Sequence, residues 1–417
     1  MKRVIMHADI NHCYAQIEEM LQPNHRLYPM VVGGHEEKRH GIVLAKNDLC
    51  RPMGVKTAQS LKEARESCAD LRIVLPHYQR YLEVSEKVKD IYREYSDRVE
   101  SFGIDEAWVD LTHSLRMHGN DAVALAKMIQ KRVYDEIGLT VSIGLSFNKV
   151  FAKLGSDMGK RSGFAVITED NFKHVVWPLP ASDLLYVGVK TSAKLEVMGI
   201  HTIGQLANTP LDVLTKRFGK WGYVLHRFAN GMDDQEVAHV NDPKEIPKSV
   251  GNGMTTIVDM NNLEETRLVL RLLSESVASR MRDEQVIGNV ISLMFRDKSL
   301  GWYQVQRKLN YYTDNSEDIL DEACDLLASR YDFSQPLRQI TVSMQVKSRQ
   351  NHIQQLSLAS INDDEKRQKK RDIDVLMDDL RNKYGFNSIK KCTNLLDKDF
   401  SDENVKGDHV VYPRGYF

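Results

Sequence analysis

The order strand, helix, two strands, helix, strand occurs twice along this sequence, and that repetition limits the fold more than any other feature. The first run opens with the apolar segment Arg3–Asp9. A helical pattern follows over Tyr78–Tyr95, with Tyr81, Val84, Val88 and Ile91 on one face. Strands Val99–Gly103 and Glu106–Leu111, helix Asp121–Ile137 and the alternating strand Leu139–Leu145 complete a split βαβ arrangement. Residues 13–79 interrupt it. The first strand runs into a helix start at His12–Glu19, and residues 20–79 mix short strands at Met30–Val32 and Ile42–Ala45 with a helical stretch over Gln59–Glu66. The second run comprises Ser249–Ile257, Leu263–Arg282, Val286–Asp297, Tyr303–Leu309, Glu317–Arg330 and Gln339–Lys347. In its last strand Ile340, Val342, Met344 and Val346 alternate with Thr341, Ser343, Gln345 and Lys347. Such alternation packs one sheet face on helices and leaves the other free. The free face carries Arg296 and Lys347, which suits either a phosphate backbone or plain solvation.

Between the two runs, residues 169–233 read as short helices broken at Pro178, Pro180, Gly188, Gly199 and Pro210. The polar stretch Asp233–Pro247 reads as a linker. The tail, 348–417, holds the basic run Lys366–Arg371 and one amphipathic helix with Ile373, Leu376, Met377 and Leu380 on a stripe. Much of that tail is expected to be mobile in isolation. Lysine plus arginine number 57 against 58 acids, a net charge of -1 that excludes a uniformly basic nucleic-acid coat. It leaves a nucleic-acid enzyme open, because totals hide where charges sit. No stretch approaches the ~18 apolar residues of a membrane span. The apolar start is too short for a signal peptide, and the five cysteines are scattered without a CxxC pair. A cytoplasmic protein with no membrane partner is the expectation.

The sharpest local feature is Ser101-Phe102-Gly103-Ile104-Asp105-Glu106, with Asp110 four residues on. Strand neighbours point to opposite faces, so Asp105 and Glu106 share one site only at a turn or strand end, which Gly103 permits. Asp9 ends the first strand, which lies beside the central hairpin in a split βαβ sheet. Three carboxylates at one sheet edge repel one another, and oxygen-only ligands at this density suit Mg²⁺. Two such ions would clamp the attacking and leaving oxygens of an in-line phosphoryl transfer. The plainer alternative makes Asp105, Glu106 and Asp110 surface residues of a hairpin.

These residues resemble the Y-family translesion DNA polymerases of the DinB/UmuC kind, the bacterial impB/mucB/samB family. The likeness rests on three blocks in register: His7-Ala8-Asp9 to Tyr14 and Glu18; Gly103-Ile104-Asp105-Glu106-Ala107; and Gly144 to Asn148, Lys149, Ala152, Lys153, Ser156, Asp157 and Lys160. It covers roughly residues 1–347. It implies an α+β multidomain right hand with a split-βαβ, ferredoxin-like palm from 1–12 and 80–168. Small fingers span 13–79, a helical thumb 169–233, a linker 234–247, and a βαββαβ little finger 248–347. It also implies lesion-bypass addition of deoxynucleoside triphosphates to a primer–template, in DNA repair.

The resemblance makes Asp9, Asp105 and Glu106 catalytic ligands of two Mg²⁺ ions, with the Ile10 carbonyl as a further oxygen. Tyr14 matches the steric gate, a ring that leaves no room for a 2′-hydroxyl. The amides of His12 and Cys13, at a helix N-terminus, suit a triphosphate, and Arg51 and Lys160 match its cationic ligands. Gly188 and Lys194 fall in a helix-hairpin-helix that offers backbone amides to a DNA phosphate; Arg296 and Lys347 would line the duplex. Gln355, Leu356 and Leu358 resemble the peptide that bacterial polymerases insert into a sliding clamp, with Ala359 in place of the last aromatic.

Several positions depart from the family pattern. Asp48 stands where a tyrosine is usual, so it points away, binds a cation, or pairs with Lys46 or Arg51. Ala45 lacks the usual hydroxyl, with Lys46 beside it as a substitute phosphate contact. Gly103 replaces a serine, Arg161 follows Lys160 where proline is common, and Tyr186 replaces the first glycine of the thumb hairpin. These departures support an alternative: a non-catalytic DNA- or clamp-binding scaffold with a degraded nucleotide site. A palm-type nucleotidyl cyclase shares the split βαβ core but needs neither the helical segment nor the second run.

Overall fold

The computed structural model describes residues 3–34, 41–160, 163–243, 246–350 and 361–395. β1 (Ile5–Ile10) is buried along its whole length and leads into α1 (Cys13–Leu21). The insertion then forms a small sheet of its own: β2 (Met30–Gly33), β3 (Val43–Lys46) and β4 (Arg72–Val74), in the order β3-β2-β4. Its helix α2 (Leu61–Ser67) starts at a Ser60–Glu63 capping box, which satisfies two backbone amides reciprocally. Val31, Val43, Leu61 and Ala64 fill the core between them.

The chain returns through α3 (Tyr78–Arg93), β5 (Val99–Ser101), β6 (Glu106–Asp110), α4 (Ala122–Ile137), β7 (Val141–Ser146), α5 (Lys149–Gly159) and β8 (Phe164–Ile167). The main sheet runs β5-β6-β1-β7-β8, with β1 antiparallel to both β6 and β7. Thus β1 lies beside the central hairpin, as the split βαβ pattern predicts. β8, parallel to β7, is an addition the pattern did not announce. Tyr81, Val88, Leu125, Ile129 and Val133 of α3 and α4 pack on Met6, Ala8, Val109 and Ile143. α5 crosses the opposite face at Gly144, where a Cβ would lie 2.1 Å from the Ala152 carbonyl oxygen. Only glycine allows that approach.

Next come α6 (Phe172–Val175), α7 (Val189–Val197), α8 (Ile203–Asn208), α9 (Leu211–Phe218) and α10 (Lys220–Ala229) around Leu195, Ile203, Leu206, Leu214 and Leu225. The stretch read as a linker is fastened to the main sheet over its first half. Val237 is buried, Val240 N donates to the Asp97 carbonyl at 2.8 Å, and Ala238 N donates to Glu100 at 2.9 Å.

The second run forms β9 (Ser249–Met260), α11 (Leu263–Asp283), β10 (Val286–Asp297), β11 (Trp302–Thr313), α12 (Ser316–Ala328) and β12 (Leu337–Ser348). The sheet order is β11-β10-β12-β9, all antiparallel. Leu270, Leu273, Val277, Leu320 and Leu327 cover the face made by Ile291, Leu293, Phe295, Ile340, Val342 and Met344.

Within the tail, residues 361–384 form a helix that meets the second sheet's helices. α13 (Ile361–Tyr384) docks on α11 and α12 largely through charge, with Met377 the buried member of its apolar stripe. Asp374 accepts from Ser316 N at 2.7 Å and from Arg282 at 3.2 Å, and Arg381 meets Glu275 at 2.9 Å. Ile373 and Leu376 remain 57% and 59% exposed. The buried positions are Asp374 and Met377, with Arg381 reaching Glu275 one turn further on. The hydrophobic spacing found the helix and one of its buried residues, Met377, but not the charged partners beside it. Among the described residues, no helix is long and apolar enough to cross a membrane.

Candidate active site

Asp9 and Glu106 are direct cross-strand partners on β1 and β6. Asp105 precedes the strand and belongs to the turn, which starts at Gly103 with φ of 88°. The turn is held from below. Lys89 of α3 donates to the Gly103 carbonyl at 3.1 Å, and Ser85 donates to the Ile104 carbonyl. Ile10 N donates to the Asp105 carbonyl at 2.9 Å, so the turn is also tied to the end of β1. Asp110 lies at the other end of β6, where its carboxylate accepts from Thr112 N at 2.9 Å.

The three carboxylates face a charge problem. Burial, then Glu106 and Asp9, push Asp105 up to about 6. Burial and Glu106 raise Asp9 as well. Lys153 Nζ lies 3.0 Å from Glu106 and 3.6 Å from Asp9, and Lys160 Nζ lies 3.1 Å from Asp9. Burial opposes the Lys160 charge, but Asp9 and Asp157 outweigh it and raise its pKa. Asp9 Oδ2 and Glu106 Oε2 are buried, each against one of these ammoniums. Among the described residues no three acidic, histidine or cysteine side chains already form a coordination cage. Hard oxygens, mutually repelling and met so far by two ammoniums, fit hard divalent cations.

Beneath them lies a residue that sequence reasoning passed over. His7 is wholly buried edge-on to Trp108, its Nδ1 2.8 Å from Ser156 Oγ and its Nε2 3.3 Å from Glu106. Burial and Lys153 lower its pKa to about 3, so it is neutral. The available signal was its spacing: two residues before Asp9 on one strand places both on the same face.

A cavity of about 1240 Å³ opens between the main sheet and the insertion. It gathers Asp9, Ile10, His12, Cys13, Tyr14, Arg51, Asp105, Glu106 and Lys160, residues taken from four separated stretches of sequence. His12 takes a left-handed conformation, φ 47°, at the start of α1, and its side chain caps none of the helix amides. Tyr14 lies flat on Tyr81, ring centroids 4.4 Å apart, with Tyr78 edge-on at 6.0 Å. Tyr81 in turn donates to buried Glu18, which His77 contacts at 2.8 Å. The open alternatives for Asp48 close on one: it meets His12 at 3.2 Å and Arg51 at 3.5 Å. Lys46 lines the same cavity and donates to the Val55 carbonyl.

The remaining candidates lie elsewhere. Gly188 caps α7 and Lys194 is exposed along it. Tyr186 has φ of 69°, which explains why glycine is usual there, and it lies beside Trp221 at 5.5 Å and Phe228 at 6.2 Å. Arg296 and Lys347 sit on the free face of the second sheet, over the rings of Trp302 at 5.2 Å and Tyr312 at 3.7 Å. Gln355, Leu356 and Leu358 lie outside the described residues. Asn148 and Lys149, part of the third block, are joints rather than site residues. Asn148 donates to the Gly231 carbonyl at 3.0 Å, and Lys149 is buried against Glu100 at 2.7 Å.

A right-hand arrangement whose paired carboxylates open onto a nucleotide-sized cavity defines a nucleotide polymerase. The impB/mucB/samB family model matches residues 8–157 and the family's C-terminal domain residues 247–358. The DNA polymerase-iota thumb domain matches residues 182–233. The chain is 41% identical over 399 residues to DNA polymerase IV of Acetivibrio thermocellus, covering 95% of this chain and 99% of that one. It is 34% identical over 401 residues to DNA polymerase IV 2 of Bacillus subtilis, covering 94% and 95%. The Y-family DNA polymerase chimera Dbh-Dpo4(243-245)-Dbh shares its fold, with a TM-score of 0.73 at 21% identity over 82% of this chain and 98% of that one. This chain belongs to the impB/mucB/samB family of Y-family DNA polymerases.

Proposed function

We propose that the chain is a template-directed DNA polymerase of the lesion-bypass type, adding deoxynucleotides to a primer 3′-hydroxyl. The observation that carries this reading is the Asp9–Glu106 pair with Asp105 at the mouth of the cavity that Tyr14 floors. Asp9, Asp105, Glu106 and the Ile10 carbonyl would hold two Mg²⁺ ions. When bound, these supply charge neutralisation at the attacking and leaving oxygens. The chain's own residues orient the reactants. Lys160 and Arg51 attract the triphosphate, the α1 amides of His12 and Cys13 receive its oxygens, and Tyr14 fills the space beneath the sugar.

The thumb, 169–233, and little finger, 248–347, would hold the duplex, separately from the palm of 1–12 and 80–168 and the fingers of 13–79. A Cβ at Gly188 would meet nothing, and its φ is -78°, so neither packing nor conformation requires glycine there. Close approach of a DNA phosphate supplies a reason. Arg296 and Lys347 would follow the duplex from the free sheet face, and Gln355–Leu358 would engage a sliding clamp. The scaffold alternative loses ground because the carboxylate cluster stays intact.

Primer extension on damaged and undamaged templates, with the metal varied, is the direct test. Extension should require a divalent cation and vanish in Asp105→Ala. Folded Asp105→Ala protein that still extends primers would sink the reading.

A further inference from the structure

Asp48 places a carboxylate inside the nucleotide cavity, on the short turn Asp48–Cys50. The turn is anchored by buried Asn47, which accepts from Met30 N at 3.1 Å and donates to the Tyr28 carbonyl at 2.9 Å. From that fixed base Asp48 Oδ1 meets His12 Nε2 at 3.2 Å and Arg51 at 3.5 Å. Arg51 and His12 Nε2 are themselves 3.2 Å apart. An anionic oxygen between a guanidinium and an imidazole, beside the start of a helix, occupies the position a phosphate oxygen would take. Two anions cannot hold that corner together. The Asp48 side chain is 79% exposed, so it can swing into solvent.

We propose that Asp48 is a resident competitor for the incoming triphosphate, holding the Arg51–His12 corner until a nucleotide displaces it. The proposal rests on reading Arg51 and His12 as phosphate ligands. Asp48 thereby raises the nucleotide KM and leaves the chemical step alone, because its carboxylate pairs with His12 and Arg51 and not with the groups around Asp9, Asp105 and Glu106. Exposed ion pairs are weak, so the effect is a tuning of affinity rather than a block.

Asp48→Asn keeps the side-chain shape and removes its charge. Primer extension with nucleotide concentration varied, and inhibition by inorganic tripolyphosphate, read the result. The variant should lower the nucleotide KM about two- to fivefold with kcat little changed, and tripolyphosphate should inhibit at correspondingly lower concentration. The gain should shrink as salt rises, and disappear in an Arg51→Ala background. An unchanged or higher KM in Asp48→Asn, with Arg51→Ala still raising KM, overturns the competitor and leaves the phosphate reading standing. An Arg51→Ala variant with unaltered KM overturns both.

Discussion

At the residue scale, the carboxylates store repulsion that a cation relieves. Asp105 is pushed up to about 6 from 3.8, chiefly by burial. Between about pH 4 and pH 6 the folded chain therefore holds this proton more tightly than the unfolded chain does, so stability falls as pH rises through that window. One unit of displacement corresponds to about 1.4 kcal/mol. Asp105→Asn removes the charge, and in chelator at pH 7.5 it should stabilise the fold by roughly 1–2 kcal/mol, with no such gain at pH 4. Thermal unfolding at the two pH values checks this, and equal gains at both would refute it. Added Mg²⁺ should stabilise the parent more than the variant. Tyr14 offers a second test. Its ring is pinned by Tyr81 and Tyr78, so a 2′-hydroxyl cannot push it aside cheaply. Intruding on filled space costs about 1–3 kcal/mol, so Tyr14→Ala should raise ribonucleotide incorporation about 10- to 100-fold. Product analysis with mixed ribo- and deoxynucleotides would show it. The strand end at Asp9 and the glycine turn before Asp105 made the Asp9, Asp105 and Glu106 cluster a candidate in sequence, and the family resemblance chose it over plain hairpin surface residues. His7 was not, because its partners Ser156 and Glu106 are 149 and 99 positions away and only the folded sheet joins them.

At the element scale, periodicity served well for sheets and poorly for α13. The strands of the second run alternate between a packed and an open face, and that contrast is written residue by residue. Of the apolar stripe of α13 the fold buries Met377 and leaves Ile373 and Leu376 exposed, and it buries Asp374 beside Met377, because α11 and α12 present Arg282, Ser316 and Glu275 to that side. Charge complementarity between distant elements leaves no periodic trace. Removing one member of such a buried pair strands the other, at about 3–5 kcal/mol. Asp374→Ala should therefore release α13 from its neighbours, visible as lost hydrogen-exchange protection over 365–384. Ile373→Ser, at an exposed position, should change stability by no more than about 0.5 kcal/mol. The opposite ranking would mean that the apolar stripe carries the docking after all.

At the scale of the whole molecule, a net charge of -1 conceals which cations are already matched by carboxylates of the same chain. The basic run Lys366–Arg371 looks like a nucleic-acid patch in sequence. In the fold Arg367 and Lys370 each lie 3.7 Å from Asp318, and Arg371 lies 3.0 Å from Asp314. Lys149 and Lys153 are likewise buried against Glu100 and Glu106. Arg296 and Lys347 differ: they lie over aromatic rings on a sheet face that the chain itself leaves open, with no carboxylate paired to either among the described contacts. Each phosphate a protein neutralises adds about -0.9 to the slope of log affinity against log salt. If these two residues follow the duplex, Arg296→Ala and Lys347→Ala should each weaken primer–template binding and flatten that slope by about 1, regardless of template sequence. Arg371→Ala should leave the slope alone while loosening α13, because its charge is already matched within the protein. Binding measured by anisotropy from low to high salt separates the two groups. A slope that changes with Arg371 and not with Arg296 or Lys347 would move the DNA path from the open sheet face to the tail.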